Sequence, residues 1–417
     1  MSEPQQLQRR LGTFDATAIG LGSMLGAGVF VVFAPAAGLA GSFLVLAVVV
    51  AGVVAYCNAV ASAALAAKYP TSGGTYVYGR KQLGEWPGFI AGWGFVTGKT
   101  ASCAAMALTF GSYVAPDYAV PVAVAAVVAL TGVNLLGITR TALLTRILLC
   151  MVLATLVFVA IAAVLGPHPA AGTAGTQSGG LAGVLPAAGL MFFAFAGYAR
   201  IATLGEEVRN PERAIPRAIL AALAAAFAIY LLLAVLLLGH LGRRLSTSGT
   251  PLLDAVLDSR LAPAAPLVQA GAAAACLGAL LALITGVGRT TLAMARERDL
   301  PGPLARVGGT HTVPFVAELA VAAVVILLLV TTNVMTVVGF SSFGVLVYYA
   351  VANAAAYTLA GHPNYAPRWL NAVGFAGCVV LAFTLPAAPV LTMAAVIAAG
   401  VAGRWLVLRV RQHQPRP

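Results

Sequence analysis

Two stretches of this chain place unusual backbone inside an apolar run. The first reads Ile19-Gly20-Leu21-Gly22-Ser23-Met24-Leu25-Gly26-Ala27-Gly28-Val29-Phe30, with four glycines between positions 20 and 28. Each glycine costs a helix about 1 kcal/mol relative to alanine, so this density marks an interruption. Unwound backbone in a bilayer has free N–H and C=O groups, which survive where they line a cavity or meet a ligand. The half-helix that follows offers N–H donors and a positive dipole end to a carboxylate. The carbonyls ending the half-helix before it accept from an ammonium group, so one broken helix matches both charges of a zwitterion. The competing reading is a packing seam, Gly22-x-x-x-Gly26, that brings two helices close together. The second stretch, Gly189 to Ala199, holds the small-residue run Ala194-Phe195-Ala196-Gly197.

Lys99 is a charge in the wrong solvent. It stands within Gly92-Trp93-Gly94-Phe95-Val96-Thr97-Gly98-Lys99-Thr100-Ala101-Ser102, in the interior of an apolar segment. A mid-bilayer lysine costs about 2.5–3.5 kcal/mol on insertion scales, and this one is too deep to snorkel. No acidic residue lies at a span centre to pair with it. A desolvated amine of this kind is a candidate proton carrier or a direct substrate contact; the plainer reading is a buried lysine satisfied by backbone carbonyls. Gly98-Lys99-Thr100 looks like the tail of a phosphate-binding loop, but Trp93 stands where that loop needs glycine.

Other ionisable residues point to architecture. Glu206 and Glu207 fall among Arg209, Arg213 and Arg217, with Arg200 a turn earlier, as expected of a salt-bridge network at the inner surface. Glu318 is expected at that interface, and Asp15 suits the positive end of its helix. His168, His240, His311, His362 and His413 show no metal-ligand spacing. Tyr348 and Tyr349 read as packing residues. The five cysteines (Cys57, Cys103, Cys150, Cys276, Cys378) fall within predicted helices and read as small packing residues. Neither a metal nor another cofactor is expected, and no nucleophile–base pair argues for an enzyme.

The elements that must position these groups follow from composition. Hydrophobic residues make up 60% of the 417 and charged residues 9%, against about 25% charged in a soluble domain. A water-soluble monomer and a disordered chain are both excluded, and an all-α integral membrane protein is expected. A spanning helix needs about 20 apolar residues. Twelve candidate spans are read at 14–38, 42–67, 86–115, 119–137, 143–165, 183–204, 214–239, 262–292, 313–332, 335–360, 369–386 and 389–408. No cleavable signal is read in residues 1–13.

With the N-terminus inside, twenty Lys and Arg residues fall on the inner side and three (Arg243, Arg244, Arg260) on the outer, Lys99 completing the 24. This positive-inside bias predicts a multi-pass protein of the cytoplasmic membrane with both termini cytoplasmic. The net charge of +12 then reads as topology and attraction to the lipid bilayer, not as nucleic-acid binding. Interrupted helices one and six, five apart, predict an inverted repeat of five plus five spans within one transmembrane domain: 14–165, 183–360, and two peripheral helices over 369–408.

At these residues the sequence resembles the amino acid–polyamine–organocation (APC) superfamily, in its prokaryotic amino acid permeases. The resemblance rests on Gly22 to Phe30, on Tyr69-Pro70 with Ser72-Gly73-Gly74-Thr75-Tyr76-Val77-Tyr78, and on Phe192 to Gly197. It continues through Glu206 to Pro211, Ile215 to Ile219, and Arg289 with Ala293 to Pro301. It implies a LeuT-type fold, with helices 1 and 6 discontinuous. By resemblance Gly26, Ala27 and Gly28 hold a substrate carboxylate by their amides, in the segment that begins at Ser23, and the Met24 carbonyl meets the amino group. Phe193, Ala194, Ala196 and Gly197 face the substrate from helix six, and Thr285 of helix eight lies near the coupling-ion position. Proton-coupled relatives carry a lysine on helix five; here Leu148 to Ala154 contains none, and Lys99 is the candidate to replace it.

The function expected is secondary transport of a small neutral amino acid by alternating access, with a proton favoured over sodium as the coupling ion. A transporter of organic amines or polyamines, an exchanger, and a transporter-like sensor stand as alternatives.

Overall fold

In the computed structural model, residues 11–70, 73–136, 142–166, 179–202, 204, 207–308 and 313–412 are described. Glu206, His168, His311 and His413 lie outside the described residues. Within them the chain is helical, without named strands.

The first apolar run breaks at its glycines. α1 (Thr13–Met24) ends and α2 (Ala27–Val31) restarts after Gly26. The Val32 N–H donates to the Gly28 carbonyl and the Ala36 N–H to that of Val32, so α2 continues into α3 (Phe33–Ala40). Gly41, at φ 55°, turns the chain into α4 (Leu44–Lys68). A short α5 (Gly74–Leu83) precedes α6 (Glu85–Val114), then α7 (Ala119–Leu135) and α8 (Ala142–Leu165). The sixth span is also interrupted: α9 (Val184–Phe195) and α10 (Ala199–Ala202) are joined by a 3-10 turn, Ala196–Tyr198. The second break is thus a tightening of the helix, where the first is a gap.

α11 (Pro211–Leu241) starts with proline at its first position, where the missing N–H has no partner to lose. α12 (Pro251–Leu257), α13 (Ala265–Arg296) and α14 (Phe315–Thr331) follow. α15 (Val334–Tyr357) is capped by the Asn333 side chain, which accepts from the Thr336 N–H at 2.9 Å. α16 (Arg368–Thr384) and α17 (Ala387–Gln412) complete the series.

Among the described residues nine helices are long and apolar enough to cross a membrane. The other three expected spans coincide with helices of a different kind. Phe315–Thr331 and Arg368–Thr384 are apolar but have 17 residues each. α6 is long but diluted by glycine, serine, threonine and Lys99.

Small residues let α6 and α15 meet along their backbones. A Cβ on Gly94 would lie 3.0 Å from the Gly344 carbonyl oxygen, and one on Gly98 3.2 Å from that of Ser341. Ser102 and Ser341 share a hydroxyl hydrogen bond of 2.6 Å. This seam fixes the rotation of α6.

Two expectations need correction. Glu318 is not interfacial: it is 0% exposed, because α14 turns it onto the bare backbone of Gly288. Cys150 is exposed on α8, and the other four cysteines are buried. Asp15 does serve its helix, accepting from the Gly12 N–H at 3.3 Å and pairing with Arg146.

One polar cluster escaped the sequence reading. The Asp299 carboxylate accepts from the Tyr76 hydroxyl, from Arg80 and from the Arg404 Nε, each at 2.8 Å. Arg404 also donates to Glu85 at 3.0 Å and lies 4.4 Å from the Trp86 ring centroid. The side chains of Asp299 and Arg404 are 3% and 4% exposed, so this pair fastens α17 to α5 and α6 out of reach of solvent screening. Breaking a buried pair leaves an uncompensated charge. Asp299→Asn should therefore lower the thermal unfolding midpoint in detergent, by an effect of about 3 kcal/mol. Arg244→Ala, which breaks an exposed pair with Asp258, should cost about 0–1 kcal/mol. Equal melting of the two variants would contradict this assignment.

Candidate functional site

The two interruptions touch. A Cβ on Gly197 would lie 2.5 Å from the Met24 nitrogen and 2.5 Å from the Ser23 carbonyl oxygen. At that separation only a residue without a side chain fits. Gly28 meets the same limit from the other side, where a Cβ would stand 2.7 Å from the Ala194 Cα. The glycines at the breaks are therefore contact points between two backbones, as well as places where the helices stop.

Tyr230 of α11 ties the two breaks together. Its buried hydroxyl lies 2.6 Å from the Met24 carbonyl oxygen and 3.1 Å from that of Ala194. Its single hydrogen serves one of these acceptors at a time. The ring is held edge-on to Phe195, with centroids 5.0 Å apart. The Met24 carbonyl, which the family resemblance assigns to a substrate amino group, is thus already in contact with a protein donor.

Beside this junction is a cavity of about 320 Å³. Ser23, Met24 and Gly28 border it from the first break, and Phe193, Ala196 and Gly197 from the second. α6 contributes Phe95, Lys99, Ser102 and Met106, spaced four, three and four apart so that they share one helix face. α13 contributes Ala279, Ala282, Leu283, Gly286, Arg289, Thr290 and Ala293. The cavity extends to the end of the molecule where Gly73, Arg200, Glu207 and Arg289 lie, the end rich in Lys and Arg. In the other direction, further along α6, the Tyr113 hydroxyl donates to the Phe30 carbonyl at 3.0 Å and the two rings meet edge to face. Both residues are fully buried, so access is from the basic end.

Lys99 is 5% exposed, and its ammonium donates to the Ala196 carbonyl oxygen at 3.3 Å. A positive charge on α6 is thereby held at the 3-10 turn of the second break. Of the residues expected at the site, Ser23, Met24, Gly28, Lys99, Phe193, Ala196 and Gly197 border the cavity. Gly26, Ala27, Ala194 and Thr285 are not among its lining residues. Gly26 packs behind the wall, against Ala279 and Met106, and Ala194 packs against Gly28. The Thr285 hydroxyl donates back to the Leu281 carbonyl at 3.2 Å. Tyr348 and Tyr349 stay outside the lining; the Tyr348 hydroxyl accepts from the Thr75 N–H at 3.1 Å.

The sequence reading missed Phe95, Ser102, Met106, Arg289 and Tyr230. The first three could have been found by stepping three and four residues from Lys99. Tyr230 had no such signal, since its partners lie 206 and 36 residues away. Arg200 and Glu207, expected in a surface network, border the cavity mouth together with Arg289.

Comparison with known proteins bears on this geometry. The profile of the family described as amino acid permease matches residues 15–407. An uncharacterized transporter of Mycobacterium tuberculosis is 56% identical over 417 residues, covering 98% of this chain and 94% of its own. The branched-chain amino acid permease BcaP of Bacillus subtilis is 28% identical over 343 residues, 76% of this chain and 73% of its own. A methylthioribose transporter of the same species is 27% identical over 337 residues, 75% and 73% of the two chains.

The junction makes a differential prediction. Gly197→Ala should destabilise the protein strongly, because its Cβ meets backbone that cannot rotate away. Gly22→Ala, whose Cβ would meet nothing within 4 Å, should be neutral or stabilise by up to about 1 kcal/mol. Tyr230→Phe, which keeps the ring and loses the hydroxyl, should cost about 1–3 kcal/mol by orphaning buried carbonyls. Thermal unfolding of the three variants in detergent tests the order; a Gly22→Ala loss as large as that of Gly197→Ala would refute it.

Proposed function

The chain belongs to the amino acid permease family, a transporter family of LeuT-type fold within the APC superfamily, and on that premise we propose that it moves a small neutral amino acid by proton-coupled alternating access. The observation that carries this reading is the cavity at two touching helix breaks, wide enough for one small molecule. The first amides of a helix have no intrahelical acceptor, and those after Gly26 offer donors for a substrate carboxylate. Ser23, Met24, Gly26, Ala27 and Gly28 on one break, with Phe193, Ala194, Ala196 and Gly197 on the other, form the proposed substrate site. The wall offers Phe95, Met106, Phe193, Ala279 and Leu283 to a side chain, which favours an aliphatic one. The one acidic lining residue among those described, Glu207, sits at the basic mouth, so the inner part of the cavity provides no counter-charge for a cationic side chain.

Charge bias supports a cytoplasmic side for the basic mouth and both termini, in a cytoplasmic membrane. The arrangement is then inward-facing, closed outside by Phe30 and Tyr113. Lys99 is the proposed coupling group, exchanging its proton while its acceptor at Ala196 moves with the second break; Thr285 has a minor part. Sodium is the less favoured ion.

Proteoliposomes test this directly. Uptake of a radiolabelled amino acid panel is compared under an inward proton gradient, an inward sodium gradient and no gradient. Accumulation should require the proton gradient, favour small aliphatic amino acids, and disappear in Lys99→Met while substrate binding persists. Full gradient-driven uptake by Lys99→Met, with an unchanged pH profile, would remove Lys99 from the mechanism. Sodium dependence would overturn the coupling ion, and uptake only into preloaded vesicles would make the protein an exchanger.

A further inference from the structure

Behind the cavity wall lies an acid that the transport reading does not use. Glu318 of α14 is 0% exposed, and neither carboxyl oxygen has a hydrogen-bond partner among the described residues. Its side chain rests on α13 where that helix has no side chain: a Cβ on Gly288 would be 2.8 Å from the Glu318 Cγ and 3.6 Å from Oε1. The next residue, Arg289, borders the mouth of the cavity. Three residues beyond Gly288, and so on the same face of α13, the Thr291 hydroxyl is also buried without a partner. The site is thus a carboxyl group buried against bare helix backbone, next to a residue whose cation is exposed at the cavity mouth.

The elements packed against α14 are α7, α13, α6 and the 3-10 turn Gly302–Ala305. α7 and the turn contain no ionisable side chain. On α6, Glu85 is paired with Arg404, the Lys99 ammonium lies at the Ala196 carbonyl beside Cys103, and the Tyr113 hydroxyl lies at that of Phe30. On α13, Cys276 lies twelve residues before Gly288 and Arg296 eight residues beyond it at the helix end, so Arg289, next to Gly288, is the charge nearest Glu318 along that helix. A buried carboxylate with neither a donor nor a counter-ion costs several kcal/mol, so in this arrangement the group carries a proton.

We propose that Glu318 is a proton-binding site linked to the cytoplasmic mouth through Arg289. While the Glu318 O–H is intact, the Arg289 guanidinium is free to border the cavity. When that O–H bond breaks, the proton leaves to water at the mouth, both electrons stay on the carboxylate, and Arg289 withdraws across Gly288 to pair with it. Proton binding and the position of a cation on the substrate path are thereby exchanged for one another. As a step in transport this rests on the proton-coupled reading above and adds a second titrating group to it; as a binding site it stands on the geometry of Glu318.

The test has two independent readouts. In detergent micelles, infrared difference spectra across a pH titration should show the carbonyl band of a buried carboxylic acid. Glu318→Gln, equal in shape and unable to ionise, should abolish it, and Glu318→Asp should retain a band that titrates. In proteoliposomes, one coupled proton and one pH unit drive accumulation up to about tenfold, since a tenfold ratio and a pH unit are the same free energy. Wild type should approach that ratio for the most strongly accumulated member of the amino acid panel. Glu318→Gln should only equilibrate it, while its counterflow exchange stays within about twofold of wild type. Identical infrared bands in wild type and Glu318→Gln, or unchanged proton-driven accumulation in that variant, would overturn the proposal. A chain that accumulates nothing yet loses the band on substitution keeps its proton site and loses the transport reading.

Discussion

The close contact of two interrupted helices constrains everything else in this molecule. Gly197 lies against the backbone of Ser23 and Met24 at a distance that excludes a Cβ, and Gly28 does the same against Ala194. Interrupted backbone in an apolar protein must find partners for its polar groups. Here each break lies where the other can share a donor, through the Tyr230 hydroxyl. The cavity lies beside this junction, where the helix that restarts after Gly26 begins with amides that have no intrahelical acceptor. Binding capacity and packing thus come from the same few residues, so a change that relaxes the contact also reshapes the site.

Around that junction, two other arrangements fix what faces it. The glycine and serine seam between α6 and α15 sets the rotation of α6 and turns Phe95, Lys99 and Met106 into the cavity. At the basic end, Asp299 gathers Tyr76, Arg80 and Arg404 and fastens the last helix to α5 and α6. The seam contributes Ser102 to the cavity wall itself, whereas the Asp299 cluster stands away from it.

The sequence was most legible where a local pattern has a single physical cause. Apolar runs punctuated by glycine, proline and charge located the helices, and the glycine density at 20–28 located the first break, because each glycine weakens a helix by about 1 kcal/mol. Lys99 was visible as a misplaced charge, and its cavity-facing neighbours follow from helical period. What could not be read is what long-range packing decides. Glu318 reads as interfacial from its position five residues into its span, and only the neighbouring α13, bare at Gly288, makes it buried. Tyr230 is one aromatic residue among many until α11 is placed beside both breaks. Asp299 and Arg404, 105 residues apart, have no sequence signature as a pair. The second break, read as an interruption at a small-residue run, is a 3-10 turn, a distinction too fine for composition to make.

The bond between Lys99 and Ala196 has a consequence for how the protein is made. Its acceptor lies 97 residues further along the chain, beyond three more helices. When α6 enters the bilayer during synthesis, the carbonyl that will hold its ammonium has not yet been translated. The newborn helix must carry that charge on the strength of its own apolar residues, or wait beside the insertion machinery until α9 arrives. Assembly is therefore ordered in time: the charge placed early commits the chain to recruit the second break late, and a polypeptide halted before Ala196 is left with an unanswered cation in the membrane.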